Sequence, residues 1–411
     1  MIDVNISIIG GGSFGTALAQ ILSDNGHNVL IRDINKEFVE KININHLHPF
    51  FDISIPEGIR ATLSLDDVLN FSDIILLCVP TKVMRSVIQE IGCHIKTPKI
   101  FVNVSKGIEP ETSYLVSQII EEVLPIEYIK GFVCLSGPSF AEEIMHRKVT
   151  LLVSASKDSS DASYIQQLFN NPNYVRVYTS SDMIGVEVCG AVKNAIALIS
   201  GVCQGLDLGM NARAALLTRS NREIIEIVKA MGGEESTCYG LTGIGDLMLT
   251  ASSTLSRNFQ AGMRIGNGET LESVIENSKN VVEGVRAVKA CEEIRIKYNL
   301  ELPILSMAYK VLYDHLDVKV AVKILLSREL KRRHVNRLRA GECTIEMGFI
   351  LSDVTTSLER IADHCSNIGV CVTQVREDLY DTHSHLDSVK NAPGELFHHE
   401  LEVARVNYML P

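Results

Sequence analysis

The sequence predicts an α/β N-terminal domain with a mostly parallel sheet, an all-α substrate domain after it and a helical C-terminal extension. Over the first 180 residues, short apolar runs alternate with amphipathic helical segments, the pattern of a sheet covered by helices on both faces. Beyond them the apolar spacing is helical almost to Leu330. With 411 residues, 46% of them hydrophobic, the chain is too long for one ordinary domain. We therefore expect domains at 1–180, 181–330 and 331–411.

The N-terminus reads as a strand, a glycine turn and a helix. Gly10, Gly12 and Gly15 supply the G-x-G-x-x-G spacing between an apolar run at 5–9 and helical spacing at 14–23. A plain tight turn is the alternative, but in this context such glycines let the backbone approach a pyrophosphate at the helix N-terminus. The sequence therefore predicts a Rossmann-type, dinucleotide-binding domain.

The end of the second strand bears on the choice of dinucleotide. Asp33 stands where an acidic side chain accepts hydrogen bonds from a ribose 2′-hydroxyl, which favours NAD. Arg32, its neighbour, is a residue type that accommodates a 2′-phosphate, so NADP stays possible.

Further strands are predicted from four apolar runs, at 73–80, 99–105, 131–137 and 149–156. Ligands bind such sheets at the carboxyl ends of the strands. Three of these ends carry candidates, namely Pro80, then Lys106, then Gly137 with Ser139. A lysine in a loop is usually solvated, but the position of Lys106 beside the predicted cofactor cleft favours contact with an anion or a carbonyl.

A helix predicted from Met183 to about Gly205 is apolar on every side, and Glu187 and Lys193 are its charged residues. Such helices are normally buried. Burial disfavours the ammonium form of a lysine, and a second lysine nearby lowers its pKa further. Hydride transfer to a ketone produces an alkoxide that needs a proton donor of tuned pKa, and Lys193 is the candidate.

A glycine-rich segment with Gly240, Gly243 and Gly245 is expected to form a flexible approach to Asp246. After it, a serine cluster leads into Arg257 and a predicted helix. Free N–H groups at a helix N-terminus and a guanidinium fork both suit phosphate, although a cap and a surface arginine are the ordinary interpretation.

Composition excludes several classes of partner. A net charge of −11 argues against nucleic acid and anionic membranes, because both need a basic field. No apolar run reaches the roughly 18 residues of a membrane span, and the first residues lack the features of a signal peptide. Ten scattered cysteines without a C-x-x-C pair favour reduced thiols. We expect a cytoplasmic protein with a small-molecule substrate.

Over about residues 1–330 the sequence resembles the NAD(P)-dependent glycerol-3-phosphate dehydrogenases. The resemblance lies in motifs that occur in the family's order and spacing: GGGSFGTALA, SKGIE, SGPSFAEE, GAVKNAIA, NARAALLTR, GLTGIGDLMLT, SRN and VVEG. It implies a homodimer that interconverts sn-glycerol 3-phosphate and dihydroxyacetone phosphate with NAD or NADP, supplying glycerol 3-phosphate for phospholipid synthesis.

The resemblance also implies a role for individual residues. Lys193 would donate a proton to the substrate oxygen and accept it back. Asp246 would orient the Lys193 side chain, and Lys106 would contact both substrate and cofactor. The implied substrate-binding residues are Lys106, Gly137, Ser139, Lys193, Asn194, Asp246, Ser256, Arg257 and Asn258. The implied cofactor-binding residues are Gly10, Gly12, Ser13, Phe14, Gly15, Asp33, Lys106, Ala141, Arg257, Val281 and Glu283.

Two features depart from the family pattern. The stretch NHLHPFFDISIPEGI replaces the usual tyrosine-leucine-proline-glycine segment near the cofactor. Ile34 and Asn35 stand just past the second strand, where the family often has arginines, which again favours NAD.

The last 80 or so residues do not belong to that resemblance. The segment containing LERIADHCSNI is similar to the C-terminal helices of PhoU-like phosphate-uptake regulators and the tails of sodium/phosphate cotransporters. Glu359 and Asp363 share a helix face, a spacing that binds metal clusters in PhoU proteins, and His364 adds a ligand type. Only part of one PhoU repeat is present, so we expect a helical hairpin that packs through its apolar stripe and no metal site.

Two other functions remain open on the sequence. One is a phosphate-responsive regulatory or scaffold protein that uses the dehydrogenase fold as a sensor. The other is a different dehydrogenase of the 6-phosphogluconate-dehydrogenase-like superfamily, which the SRN motif disfavours.

Overall fold

The computed structural model describes residues 3–277 and 282–326. Residues 1–321 form one compact unit, described below, and residues 322–411 form another, of which 322–326 are described. The expectations for the tail, including Glu359, Asp363 and His364, lie outside the described residues, and so does Val281.

An eight-stranded sheet is the centre of the N-terminal half. Its strands are β1 Asn5–Ile9, β2 Asn28–Arg32, β3 Ile59–Thr62, β4 Ile74–Leu77, β5 Lys99–Asn103, β6 Ile129–Ser136, β7 Thr150–Ala155 and β8 Val175–Ser180. They lie in the order β3-β2-β1-β4-β5-β6-β7-β8. Neighbours are parallel except β6 and β7, which are antiparallel. The predicted Rossmann-type α/β fold is confirmed.

Two of these strands, β3 and β8, were not among the predicted ones. Both lie at the edges of the sheet. An edge strand has a solvated side, so β3 exposes Arg60 and β8 exposes Arg176 and Tyr178 between buried residues. The continuous apolar run that marks the buried strands is therefore absent from their sequences.

Helices cover both faces of the sheet. They are α1 Ser13–Asp24, α2 Lys36–Asn45, α3 Leu65–Phe71, α4 Thr81–His94, α5 Val116–Val123, α6 Ala141–Met145 and α7 Ser159–Phe169. Alternate residues of a strand face opposite cores. In β4, Ile74 and Leu76 pack with α1, α2, α6 and α7, whereas Ile75 and Leu77 pack with α3, α4 and α5.

The second half of the compact unit is helical and is built around α8. Its helices are α8 Met183–Gly205, α9 Gly209–Ala230, α10 Asp246–Ser252, α11 Arg257–Gly266, α12 Leu271–Glu276, α13 Glu283–Lys297 and α14 Pro303–Tyr313. Helices α9, α10, α11 and α13 all pack on α8. Helix α11 approaches α8 closely because glycines meet at the crossing, Gly201 and Gly205 on one side and Gly262 and Gly266 on the other. A Cβ at these positions would collide with the facing backbone.

Within the described residues, α8 is the one helix long and apolar enough to cross a membrane by length and composition. Its most apolar stretch is 83% buried inside the protein, which is the burial of a core helix.

Candidate active site

The buried lysine of α8 has two polar partners on α10. The Lys193 Nζ donates to Asp246 Oδ1 at 2.5 Å and to Thr250 Oγ1 at 2.8 Å. Lys193 is 5% exposed and Asp246 is fully buried. A buried ammonium is tolerated only when it is paired and hydrogen-bonded, and this pairing supplies both.

The second predicted lysine reaches the same carboxylate. Lys106 follows the carboxyl end of β5, and its Nζ donates to Asp246 Oδ2 at 2.7 Å and to the carbonyl oxygen of Gly137 at 2.9 Å. Asp246 thus bridges two ammonium groups, one on each oxygen. The structure brings together Lys106, Gly137, Lys193 and Asp246, which come from separate parts of the chain.

The glycine-rich segment before Asp246, which the sequence predicts to be a flexible approach, adopts helical turns with a kink at Gly243. Residues 235–239 form a 3₁₀ turn, and the π-helical turn Leu241–Gly245 continues directly into α10. Gly243 packs so tightly on the Cys238 backbone that a side chain would collide with it. These turns place Asp246 as the first residue of α10, pointing inward.

Thr250 is a site residue that the sequence analysis missed. Its hydroxyl donates to the Asp246 carbonyl oxygen at 2.7 Å, which leaves its oxygen free to accept from Lys193. The signal was present, since Thr250 lies four residues after Asp246 and so shares its helix face.

The electrostatics agree in direction with the sequence prediction. Burial lowers the pKa of Lys193 to about 7, with Asp246 opposing that shift and Lys106 adding to it. Burial on its own would raise the pKa of Asp246, but the two ammonium groups outweigh it and lower that pKa. Near neutral pH the site therefore holds an ionised carboxylate and a lysine poised to exchange a proton.

A chain of amide hydrogen bonds joins the lysines to two further helices. The Asn194 Nδ2 donates to the carbonyl oxygen of Lys106 at 3.3 Å, and its Oδ1 accepts from Asn258 Nδ2 at 3.0 Å. The Asn258 Oδ1 accepts from the backbone N–H of Gly284 at 2.9 Å. The side chain of Asn258 is thus committed to α8 and to the first turn of α13.

The SRN motif forms the N-terminus of α11. The Ser256 side chain caps the helix by accepting from the N–H of Phe259 at 3.3 Å. Arg257, the first helical residue, is exposed. A helix N-terminus with an exposed guanidinium beside it is suited to a phosphate group.

The loop after β6 supplies the remaining predicted substrate positions. Gly137 has φ of +144°, and a Cβ there would lie 2.8 Å from the carbonyl oxygen of Leu151. The Ser139 Oγ donates to the same Gly137 carbonyl oxygen that Lys106 contacts, at 3.1 Å.

The glycine turn has the form that a dinucleotide requires. Gly10 has φ of +109°, and a Cβ there would lie 2.6 Å from the carbonyl oxygen of Cys78. Gly12 caps α1, and a Cβ there would meet open space, so the N-terminus of the helix is accessible. These residues fit a bound pyrophosphate.

At the end of β2, Asp33 and Arg32 have different surroundings. Asp33 Oδ2 accepts from the N–H of Gly11 at 2.7 Å, which fixes the carboxylate beside the glycine turn. The Arg32 guanidinium pairs with Glu90 of α4 at 2.9 Å. The carboxylate of Asp33 therefore lies at the glycine turn, whereas the Arg32 guanidinium is engaged by Glu90.

Other predicted cofactor residues begin helices. Ser13 starts α1 with half-buried Phe14 next to it, Ala141 starts α6, and Glu283 starts α13. Burial raises the pKa of Glu283.

The sequence analysis also missed His48, which lies in the stretch that departs from the family pattern. It is fully buried, and burial lowers its pKa to about 4. Its Nδ1 accepts from the N–H of Phe51 at 3.1 Å, so its Nε2 donates to the carbonyl oxygen of Ser13 at 3.0 Å. This histidine braces the start of α1.

Comparisons with known proteins agree with this geometry. Residues 5–162 match the N-terminal family of NAD-dependent glycerol-3-phosphate dehydrogenase, and residues 182–323 match its C-terminal family. A glycerol-3-phosphate dehydrogenase [NAD(P)+] of Acholeplasma laidlawii is 51% identical over 328 residues, 80% of this chain and 98% of that protein. The same enzyme of Bacillus thuringiensis is 45% identical, covering 79% of this chain and 96% of that protein.

A solved structure is similar over the same part of the chain. The crystal structure of glycerol-3-phosphate dehydrogenase from Coxiella burnetii superposes with a TM-score of 0.75 at 31% identity, covering 79% of this chain and 99% of that one. On these matches and on the lysine-aspartate site, the chain belongs to the NAD-dependent glycerol-3-phosphate dehydrogenase family.

Proposed function

We propose that this protein interconverts sn-glycerol 3-phosphate and dihydroxyacetone phosphate with NAD, and also accepts NADP. The observation that carries the proposal is the buried carboxylate of Asp246 held between the ammonium groups of Lys106 and Lys193. Membership of the dehydrogenase family favours this activity over a regulatory or scaffold role. Such an activity supplies glycerol 3-phosphate for phospholipid synthesis.

In this proposal Lys193 is the acid and base of the reaction. The dinucleotide supplies or accepts the hydride at the substrate carbon. Lys193 gives its proton to the substrate oxygen during reduction and takes it back during oxidation. Asp246 and Thr250 hold Lys193 in place, since both bond its Nζ. Lys106, held at the Gly137 carbonyl oxygen, stabilises negative charge on the same oxygen.

The remaining residues bind and orient. The substrate phosphate is assigned to the N-terminus of α11 with Ser256 and Arg257, where free N–H groups and a guanidinium are available. Asn194, Asn258, Gly137 and Ser139 shape the substrate position through the contacts described above. The dinucleotide is assigned to a set at the glycine turn and around it, namely Gly10, Gly12, Ser13, Phe14, Gly15, Asp33, Lys106, Ala141, Arg257, Val281 and Glu283.

The direct test is oxidation of NADH by the purified full-length protein, followed by the absorbance of the reduced cofactor. We expect turnover that depends on added dihydroxyacetone phosphate. Dihydroxyacetone without the phosphate should be a poor substrate, because the N-terminus of α11 would then be empty. A protein that binds NADH and shows no turnover would refute the activity.

The pH dependence should reverse between the two directions. Reduction needs the ammonium form of Lys193, so kcat/KM falls as pH rises through about 7; oxidation needs the amine and rises through the same pH. The substrate phosphate also titrates, with a pKa of about 6, but it affects both directions with the same sign. Initial rates in both directions, measured from about pH 5 to about pH 11, separate the two groups because this range spans the pKa of the phosphate and that of a free lysine. A midpoint near that of free lysine, about 10.4, would contradict the assignment.

The cofactor preference should depend on the charge of Asp33. We expect the parent protein to use NADH better than NADPH, because a carboxylate repels a 2′-phosphate. Asp33→Asn removes the charge and keeps an acceptor for the N–H of Gly11, while the contact of Oδ1 with the N–H of Asn35 is lost. The ratio of kcat/KM for NADH to that for NADPH should fall roughly tenfold, a change of about 1.4 kcal/mol. The control is Asp66→Asn, an exposed residue of α3, and an unchanged ratio in Asp33→Asn would count against this role.

Three further assignments belong to the proposal. The domain division at 1–180, 181–330 and 331–411 is supported by the change from α/β to helical structure near residue 180. A PhoU-like tail is supported by the LERIADHCSNI segment, which lies beyond the part matched by the relatives. A cytoplasmic homodimer is supported by the resemblance to the family.

A further inference from the structure

Glu187 is the second charged residue of α8, and the proposed mechanism does not use it. It is 5% exposed and lies among residues of α5, β5 and β6. Acidic residues are almost never so deeply buried without partners. Burial raises its pKa to about 7, while hydrogen bonds from Ser117 and Asn103 oppose that shift.

Its partners connect it to the loop that carries Lys106. The Glu187 Oε1 accepts from the backbone N–H of Ser117 at 3.2 Å and from Asn103 Nδ2 at 3.4 Å, and its Oε2 accepts from Ser117 Oγ at 2.5 Å. Asn103 is the last residue of β5.

Asn103 in turn fixes the next turn of the chain. Its Oδ1 accepts from the N–H of Ser105 at 2.9 Å, and its Nδ2 donates to the Ser105 carbonyl oxygen at 3.1 Å. The Ser105 Oγ donates to the carbonyl oxygen of Val79 at 2.6 Å. Lys106 is the next residue, so the direction of its side chain depends on this turn.

These contacts form a continuous series of residues that begins at Glu187 and ends at Lys193, both on α8. From Glu187 it passes through Asn103 and Ser105 to Lys106, then through Asp246 to Lys193. Between the two charged residues of α8, Gly190 faces the Lys106 stem, and a Cβ there would lie in ordinary van der Waals contact with Lys106 Cγ at 3.5 Å. Helix α8 therefore sets both lysines relative to each other.

We propose that Glu187 is a positioning residue that acts through Asn103 to hold Lys106 against Asp246. The inference rests on the proposed function for its kinetic consequence, because only an active dehydrogenase shows an effect on kcat. Its structural content, the hold of Glu187 on the turn after β5, is independent of the activity.

The test compares variants that keep or break this connection. Glu187→Gln keeps Oε1 as acceptor for Ser117 and Asn103, and the Ser117 hydroxyl can accept from the new amide, so kcat should stay within about two-fold of the parent. Glu187→Ala and Asn103→Ala should each lower kcat about tenfold, since misplacing a reacting group by an ångström costs up to about a hundredfold. The double variant should lose no more than either single one, because residues in one hydrogen-bond chain are not additive.

Ser117→Ala is the matched structural control. It removes the Oε2 contact and leaves Oε1 on Asn103, so we expect lower thermal stability with kcat within about two-fold of the parent. A measurement that needs no enzymatic activity is the hydrogen-exchange rate of the Ser105 amide. Glu187→Ala should raise this rate at least about tenfold, while the exchange rates of the β1 amides, the internal control, stay unchanged.

The outcomes separate the two proposals. No turnover by the parent protein sinks the proposed function, and exchange at Ser105 still tests the role of Glu187. With an active parent, the role of Glu187 is overturned if either Glu187→Ala or Asn103→Ala leaves kcat within about two-fold of the parent. It is also overturned if the losses of the single variants multiply in the double variant. Should Glu187→Ala fail to fold, Glu187→Met takes its place, because a methionine fills a similar volume and cannot hold Asn103 as the carboxylate does. It should lower kcat about tenfold, and a kcat within about two-fold of the parent would overturn the role of Glu187.

Discussion

Lys193→Ala is expected to lower kcat for reduction of dihydroxyacetone phosphate about 10³-fold, the scale of a lost general acid. The pKa of Lys193 lies near neutrality, and its Nζ is held beside the candidate substrate position by two partners. Without it, the developing alkoxide has no donor at that position. NADH binding, measured by the fluorescence of the bound cofactor, should stay within about two-fold of the parent, because the glycine turn is unchanged.

Lys99→Met is the control for this variant. Lys99 is also a buried lysine, 3% exposed, and its Nζ contacts the Ser72 carbonyl oxygen and Asp73. It lies at the amino end of β5, opposite the end that leads to Lys106. We expect a lower melting temperature and a kcat within about two-fold of the parent. The assignment of Lys193 would be refuted if Lys193→Ala retained the kcat of the parent.

Asp246→Asn is expected to lower kcat about 10²-fold, because a misplaced reacting group loses rate on that scale. The neutral amide leaves the ammonium groups of Lys106 and Lys193 facing each other without an anion. Asp246 raises the pKa of Lys193, so its loss lowers that pKa further. The pH at which reductive activity is half lost should therefore move below about 7. Breaking a buried ion pair should also cost roughly 3–5 kcal/mol of the free energy of unfolding.

Asp182→Asn separates the loss of stability from the loss of rate. Asp182 is 8% exposed, caps α8 and accepts from the backbone N–H groups of Gly185 and Glu234 at 2.9 Å. We expect it to lower stability as a buried carboxylate does, with the pH midpoint unchanged. Denaturant unfolding and pH profiles of both variants provide the comparison. If both shifted the midpoint alike, Asp246 would have no special relation to Lys193.

The sequence alone was enough to predict features that are determined by residues close together along the chain. The glycine spacing after an apolar run predicted the dinucleotide turn. Gly10 has the positive φ that this turn requires, and Gly12 faces open space at the helix N-terminus. The lysine of a helix that is apolar on every side pointed to Lys193, because a lysine is rarely buried without a partner.

The sequence alone could not predict features that depend on contacts between residues far apart along the chain. The edge strands β3 and β8 lack a continuous apolar run, and the glycine segment before Asp246 gave no sign of its helical turns. Nothing in the local sequence distinguished His48 from the other histidines, because its contact with Ser13 spans 35 positions. Glu187 was visible as a charge, but its link to Asn103 spans 84 positions.

By itself the sequence determined the α/β-then-helical order, the glycine turn and the residue types that carry the chemistry, because periodicity and motifs are properties of short segments. Only the tertiary structure decided that one carboxylate serves both lysines. Asp246 lies 53 positions from Lys193 and 140 from Lys106. These distances are closed by packing of α8 against α10 and against the carboxyl ends of the strands. Packing also removes water from Asp246 and Lys193, and that burial is what lowers the pKa of Lys193.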